Sequence, residues 1–150
     1  MWLITYGAIS NNMPKPLNSW LPLDETQVSP RGRWETSAVF ESPSEWFSGH
    51  FDQCPVVPGI ALLALAAETV IKQGSAIGRF LEVSGFSRVR FKDLVLPEEE
   101  LSISVAPMPA ESEAELDFSL TRRGQPIVLG FLRVRERITL EGTDFGTAPV

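Results

Sequence analysis

The sequence predicts an α+β domain in which one curved antiparallel β-sheet wraps around a central apolar α-helix. Three observations predict it. Residues 58–73 (PGIALLALAAETVIKQ) contain no polar side chain from Ile60 to Ala67, and a helix that is apolar all round must be buried all round. Most of the other patterned segments alternate apolar and polar residues with period two, the mark of half-buried strands. The later strands are joined by short turns, which makes them antiparallel. Loops cannot enclose a helix, so the sheet must.

Each element follows from its residues. Residues 1–30 carry Pro14, Pro16, Pro22 and Pro30 and read as an irregular lead, with a short helical turn near Leu17–Leu21. Residues 33–41 (RWETSAVFE) place Trp34, Thr36, Ala38 and Phe40 on one face of a strand. In the helix over 58–73, Pro58 suits the first turn, where its missing N–H is not needed, and Gly74 suits the stop. Residues 84–92, 101–107 and 114–121 alternate as strands. Arg123-Gly124 and Pro126 then mark a hairpin turn into a last strand over 127–136. Residues 140–150 read as a loose tail, so that residues 1–150 make a single domain without internal repeats.

Composition bounds the function. Hydrophobic residues make up 43% and charged residues 21% of the 150 residues, a globular mix. Thirteen basic against nineteen acidic side chains give a net charge of −6, which disfavours nucleic acid as a partner. One cysteine, Cys54, excludes an internal disulfide, and a single histidine, His50, leaves too few ligands for a structural zinc site. No metal, nucleotide cofactor or phosphate-binding loop is indicated. The apolar runs at residues 1–9 and 60–71 are too short to span a bilayer, and a cytoplasmic protein with no membrane partner is expected.

Residues 44–70 read SEWFSGHFDQCPVVPGIALLALAAETV. Gly49, His50 and Phe51, followed by Pro55, Pro58, Gly59 and an all-apolar helix, resemble the hotdog-fold 3-hydroxyacyl-[acyl carrier protein] dehydratases of fatty acid synthesis in identity and spacing. Residues 86–105, with a Val-x-Phe-Lys strand before a Pro-acidic turn, are similar too, and the likeness spans roughly residues 30–137. It implies the hotdog fold, a homodimer or higher oligomer, and sites at the subunit boundary shared between His50 of one chain and the helix of the other. An acyl carrier protein or coenzyme A thioester is the implied partner.

Removing water from a 3-hydroxyacyl thioester requires a base for the C2 proton, an acid for the departing hydroxyl and donors for the thioester oxygen. The resemblance makes His50 the base, and its ordinary pKa near 6.5 leaves it largely neutral at neutral pH. The Gly59 N–H, at the positive end of the helix, suits the oxyanion, and a residue without Cβ lets substrate approach. Pro58 and Phe51 complete the substrate-binding set.

Two departures from the family pattern stand out. Asp52 replaces the usual proline after Phe51. More seriously, Ala64 stands fourteen residues after His50, where the dehydratases carry their catalytic carboxylate. The carboxylate on the helix is Glu68, one turn on, where the family usually has Gln. An apolar setting would raise its pKa as an acid requires. Three functions stay open: a dehydratase using Glu68, a thioesterase using Glu68 as base for water, and a non-catalytic acyl-carrier-binding subunit, including one that forms a heterodimer with an active homologue. Glu68 also has a plain alternative, an exposed pair with Lys72 at i+4. Cys54 reads as a packed hydrophobe, and Trp34, Phe40, Phe86 and Phe91 as core or tunnel lining. Arg88, Arg90 and Lys92 share one strand face, either solvated or facing an anionic carrier.

Overall fold

The computed structural model describes residues 22–41 and 56–137. They form a curved six-stranded antiparallel sheet with one helix across its inner face: β1 (Gln27–Val28), β2 (Trp34–Val39), α1 (Gly59–Ala76), β3 (Leu81–Phe91), β4 (Glu100–Val105), β5 (Glu113–Arg122) and β6 (Gln125–Glu136). The spatial order is β1-β2-β4-β5-β6-β3. The helix thus leaves β2 near one edge and delivers the chain to β3 at the other.

Alternation decides which face meets the helix. Trp34, Thr36 and Ala38 of β2 stand opposite Val105, Ile103 and Leu101 of β4, and Ile103 and Val105 stand opposite Leu120 and Phe118 of β5. All of these are buried, so a one-residue slip of any strand would turn its apolar set outward. Against this floor α1 packs on β2, β3, β4 and β5, burying Ala61, Leu62, Leu65, Ala66 and Val70. Each fully buried Leu or Val contributes about 1.5–3 kcal/mol.

The expected hairpin is present. Arg123 and Gly124 have φ of 54° and 79° between the paired Arg122 and Gln125, the positive values a two-residue type I′ turn needs. Pro126 lies inside β6, opposite Thr121. The described part of the N-terminal lead is tied to β2 by β1 and by a bridge from Leu23 to Ala38. Residues 17–21 and 140–150 lie outside the described residues.

Two expectations about the helix are corrected. Gly74 does not end it. The helix runs on to Ala76, and Gly78 (φ 81°) is the residue that turns the chain. The Gly78 N–H donates to the Ser75 carbonyl and the Arg79 N–H to the Gly74 carbonyl, a Schellman arrangement that satisfies the last carbonyls. Gly74 answers a packing need instead: a Cβ there would lie 2.6 Å from Leu81 Cδ1. Nor is the helix covered all round. Ile60 is 43% exposed, and Leu63 and Ile71 are only partly buried, because the sheet wraps one side of the rod.

Strand β3 carries a bulge that sequence alternation does not reveal. Ser87 pairs with Phe131 and Arg90 with Leu129, so Arg88 and Val89 share the place opposite Gly130, with Arg88 at φ 51°. An extra residue re-aims its neighbours. Val89 packs against the core, while Arg88 reaches outward over the Phe131 ring, 4.3 Å from its centroid, and pairs with Glu115 at 3.1 Å.

Candidate active site at the start of the helix

The N-terminus of α1 is open in a specific sense. Its cap is Pro58, in an extended conformation with no side-chain cap, and the first turn holds no acidic residue. The first backbone donors to find acceptors are Ala61 and Leu62, both on the Pro58 carbonyl at 3.0 and 3.3 Å. Among the described residues, the N–H groups of Gly59 and Ile60 have no acceptor. A helix start left this way carries partial positive charge and favours an anionic oxygen.

Phe91 gives Gly59 a second reason to be glycine. A Cβ on Gly59 would stand 3.1 Å from Phe91 Cζ, closer than side chains normally approach. Of the two readings of Phe91, core or tunnel lining, the core one is corrected: the ring is 52% exposed and lies over the helix start, because β3 ends where α1 begins. Trp34 and Phe40 are buried as expected, and Phe86 meets Phe118 edge-on at 6.1 Å.

Glu68 lies roughly 13.5 Å along the axis from Gly59 at 1.5 Å per residue, one turn beyond Ala64. Ala64 is fully buried and Glu68 only 2% exposed. The exposed Glu68–Lys72 surface pair is therefore corrected: Glu68 is buried while Lys72 is exposed. Burying a carboxyl without compensation is costly, and Glu68 does take part in an interaction of its own. Thr69 bonds back to the Leu65 carbonyl at 2.7 Å, so Glu68, Thr69 and Gln73 bring polarity to an otherwise apolar interior.

The helix start is held from outside. The Val57 N–H donates to the Val95 carbonyl at 2.8 Å, which anchors the residue before Pro58 to the loop of residues 92–99. That loop is gripped by Arg122, whose Nη1 donates to the Leu94 carbonyl and Glu99 Oε1, both at 2.8 Å, and whose Nη2 meets Asp93 Oδ2 at 2.6 Å. Sequence reading missed Arg122. A usable signal was present in the acidic stretch DLVLPEEE (residues 93–100), which calls for a cation nearby. Gly49, His50, Phe51, Cys54 and Pro55 lie outside the described residues.

On the outer face of the sheet, Ser87 donates to Glu115 and holds its carboxyl below the usual range, with Arg88 and Arg133 adding to the effect. Arg90 and Lys92 make no ion pair among the described residues. A separate open recess of about 620 Å³ lies over outward-facing Glu35, Ser37, Ser102, Ser104, Ser119 and Thr121, rimmed by Asp24 and Glu25. It takes in none of the expected site residues.

A curved antiparallel sheet over one helix, with a Pro-Gly start and an open N-terminus, is the setting in which comparison with known proteins becomes decisive. The family model of the ApeI-like dehydratases (ApeI dehydratase) matches residues 26–130. The chain belongs to the ApeI-like dehydratase family. Its curated relatives include the 3-hydroxyacyl-[acyl-carrier-protein] dehydratase FabZ of Streptococcus pneumoniae serotype 4, 28% identical over 90 residues that cover 53% of this chain and 64% of that protein. The chain thus matches less than two thirds of the length of that relative. Among solved structures, the putative thioesterase yhdA from Lactococcus lactis superposes with a TM-score of 0.65 at 13% identity, covering 81% of this chain and 97% of that one. The dehydratase heterocomplex ApeI:P from Xenorhabdus doucetiae gives 0.56 at 17% identity, covering 77% and 97%. These likenesses establish the hotdog fold, and no helix among the described residues is long and apolar enough to cross a membrane.

Proposed function

We propose that this ApeI-like family member is an acyl-thioester hydro-lyase that eliminates water from a 3-hydroxyacyl group, with Glu68 in place of the carboxylate missing at Ala64. The observation that carries this reading is the burial of Glu68, 2% exposed on the helix whose N-terminal N–H groups are open. In the proposed reaction His50 takes the C2 proton, and the C–H electron pair becomes the new C=C bond. The C3–O bond breaks as the departing hydroxyl takes a proton that the Glu68 carboxylic acid gives up through a bridging water, a relay that the roughly 13.5 Å along the axis between Glu68 and Gly59 demands, so water leaves. The Gly59 N–H stabilises negative charge on the thioester oxygen, and Pro58 and Phe51 line the approach. Arg90 and Lys92, which make no ion pair among the described residues, offer cations to an anionic acyl carrier protein or coenzyme A.

The test is formation of the enoyl product from a 3-hydroxyacyl thioester. His50→Ala and Glu68→Gln are each expected to lose about 10²-fold or more, the usual worth of a general base or acid. Undiminished turnover in His50→Ala overturns the reading. Release of free thiol instead of enoyl product assigns a thioesterase.

A second reading treats the chain as the inert member of a heterodimer with an active homologue. It is favoured by Ala64 and by the heterocomplex formed by the related ApeI:P dehydratase. Wild-type protein that is inactive alone, binds an acyl carrier and gains activity with Ala64→Glu supports it.

A further inference from the structure

We propose that Arg122 is a positioning residue for this site, setting the helix start through the loop of residues 92–99; the inference rests on the functional reading above. The contacts converge on one guanidinium. Asp93 and Glu99 accept from Arg122 and also from the loop's own N–H groups, Leu94 to Asp93 Oδ1 at 2.8 Å and Leu96 to Glu99 Oε1 at 2.9 Å. With the Leu94 carbonyl as a third acceptor, the planar fork fixes the loop at both its ends, a grip a lysine cannot copy.

The loop passes that constraint to two places. The Val95 carbonyl accepts the Val57 N–H, and the Glu98 N–H donates to the Phe40 carbonyl at 2.8 Å. Phe40 ends the β2 side and Val57 begins the α1 side of the chain stretch that includes His50, so both stems rest on the same loop. Val57 and Val95 are 3% and 1% exposed, which keeps water from replacing their bond. Phe91, at the end of the strand that feeds this loop, lies over Gly59. A shift in the loop therefore moves the open N–H groups relative to any carbonyl they receive, and an oxyanion donor displaced by a fraction of an ångström loses much of its effect.

Arg79 provides the control. Just past the opposite end of the helix, it bonds the β4–β5 loop and β6 through the Pro109 carbonyl at 2.7 Å, the Glu111 carbonyl at 3.2 Å and Glu136 at 2.7 Å, with nothing of the proposed chemistry nearby. The experiment compares Arg122→Gln, Arg122→Lys and Arg79→Gln by steady-state dehydration and by amide hydrogen exchange, well below every melting midpoint. Arg122→Gln is expected to speed exchange at Val57 and Glu98 at least tenfold while Leu132 in β6 keeps its protection. It should also lower kcat about tenfold or more with KM within about twofold, since the donors act on charge that develops after binding. Arg122→Lys should recover part of the loss and carries the comparison if the Gln variant does not fold. Unchanged exchange at Val57, or a kcat no lower in Arg122→Gln than in Arg79→Gln, overturns the proposal. Wild-type protein without turnover overturns the functional reading and the catalytic consequence with it, while exchange at Val57 separately decides whether Arg122 holds the anchor.

Discussion

The two ends of the single helix are built on opposite principles. At the C-terminal end the backbone satisfies itself: the carbonyls of Gln73, Gly74 and Ser75 receive the N–H groups of Ile77, Gly78 and Arg79. At the N-terminal end Pro58 supplies no side-chain cap, and the segment is held by bonds from a neighbouring loop. A terminus that closes on itself has finished its chemistry. One that is braced from outside but left open keeps donors for something else. The difference leaves the Gly59 and Ile60 N–H groups, among the described residues, without an acceptor at one end only.

Three glycines sharpen that contrast. Gly74→Ala should have the largest effect, about 1–3 kcal/mol of lost stability, because its methyl would overlap Leu81, whose Cγ and Cδ1 lie 2.8 and 2.6 Å from the Cβ position. Better helix propensity returns only about 1 kcal/mol. Urea midpoints measure it, and the double variant with Leu81→Ala should show a smaller penalty for the added methyl. Gly59→Ala should barely change the midpoint, since the Phe91 ring is exposed and can give way, yet lower dehydration about tenfold. Equal losses at Gly59 and Gly78 would break the comparison of the two ends. Gly78→Ala should cost about 1 kcal/mol, from a left-handed φ of 81°, and leave kcat unchanged.

The smallest effect is electrostatic. The hydrogen bond from Arg79 holds the Glu136 carboxyl below its ordinary value of 4.5. A depressed carboxylate stabilises the fold above its unfolded pKa and loses that contribution as pH falls through the folded value. The stability gap between wild type and Glu136→Gln should therefore be greatest above about pH 5 and close as the pH drops below 4.5. A gap that does not change with pH would show that Arg79 grips the loop carbonyls alone.

Much of the architecture was legible because burial and period coincide. β2, β4 and β5 alternate cleanly, and Arg123-Gly124 declares the turn into β6. The helix was legible in existence but not in orientation. A rod apolar on every side gives no sign of which side the sheet will cover, so Ile60 was expected inside and Glu68 had an equally good surface partner in Lys72. Its end was misplaced because two glycines lie four residues apart, and only the packed structure shows that one makes room for Leu81 while the other turns the chain. The bulge at Arg88 was invisible, since Arg, Val and Arg continue an acceptable alternation through it. At the site, the residue types at the helix start were readable. The brace was not, because Arg122 and Asp93 are brought together only by the crossing from β3 to β4.

The interrupted register of β3 has a consequence for assembly in solution. This strand lies at the end of the sheet order, and its pairing with β6 slips twice, between Val83 and Gly85 and between Ser87 and Arg90. A foreign strand seeking to extend the sheet would meet a backbone whose free groups fall out of step after a few residues. Only a partner with matching irregularities can lie along its full length, which guards the protein against open-ended fibril growth while leaving room for a mate of the right shape.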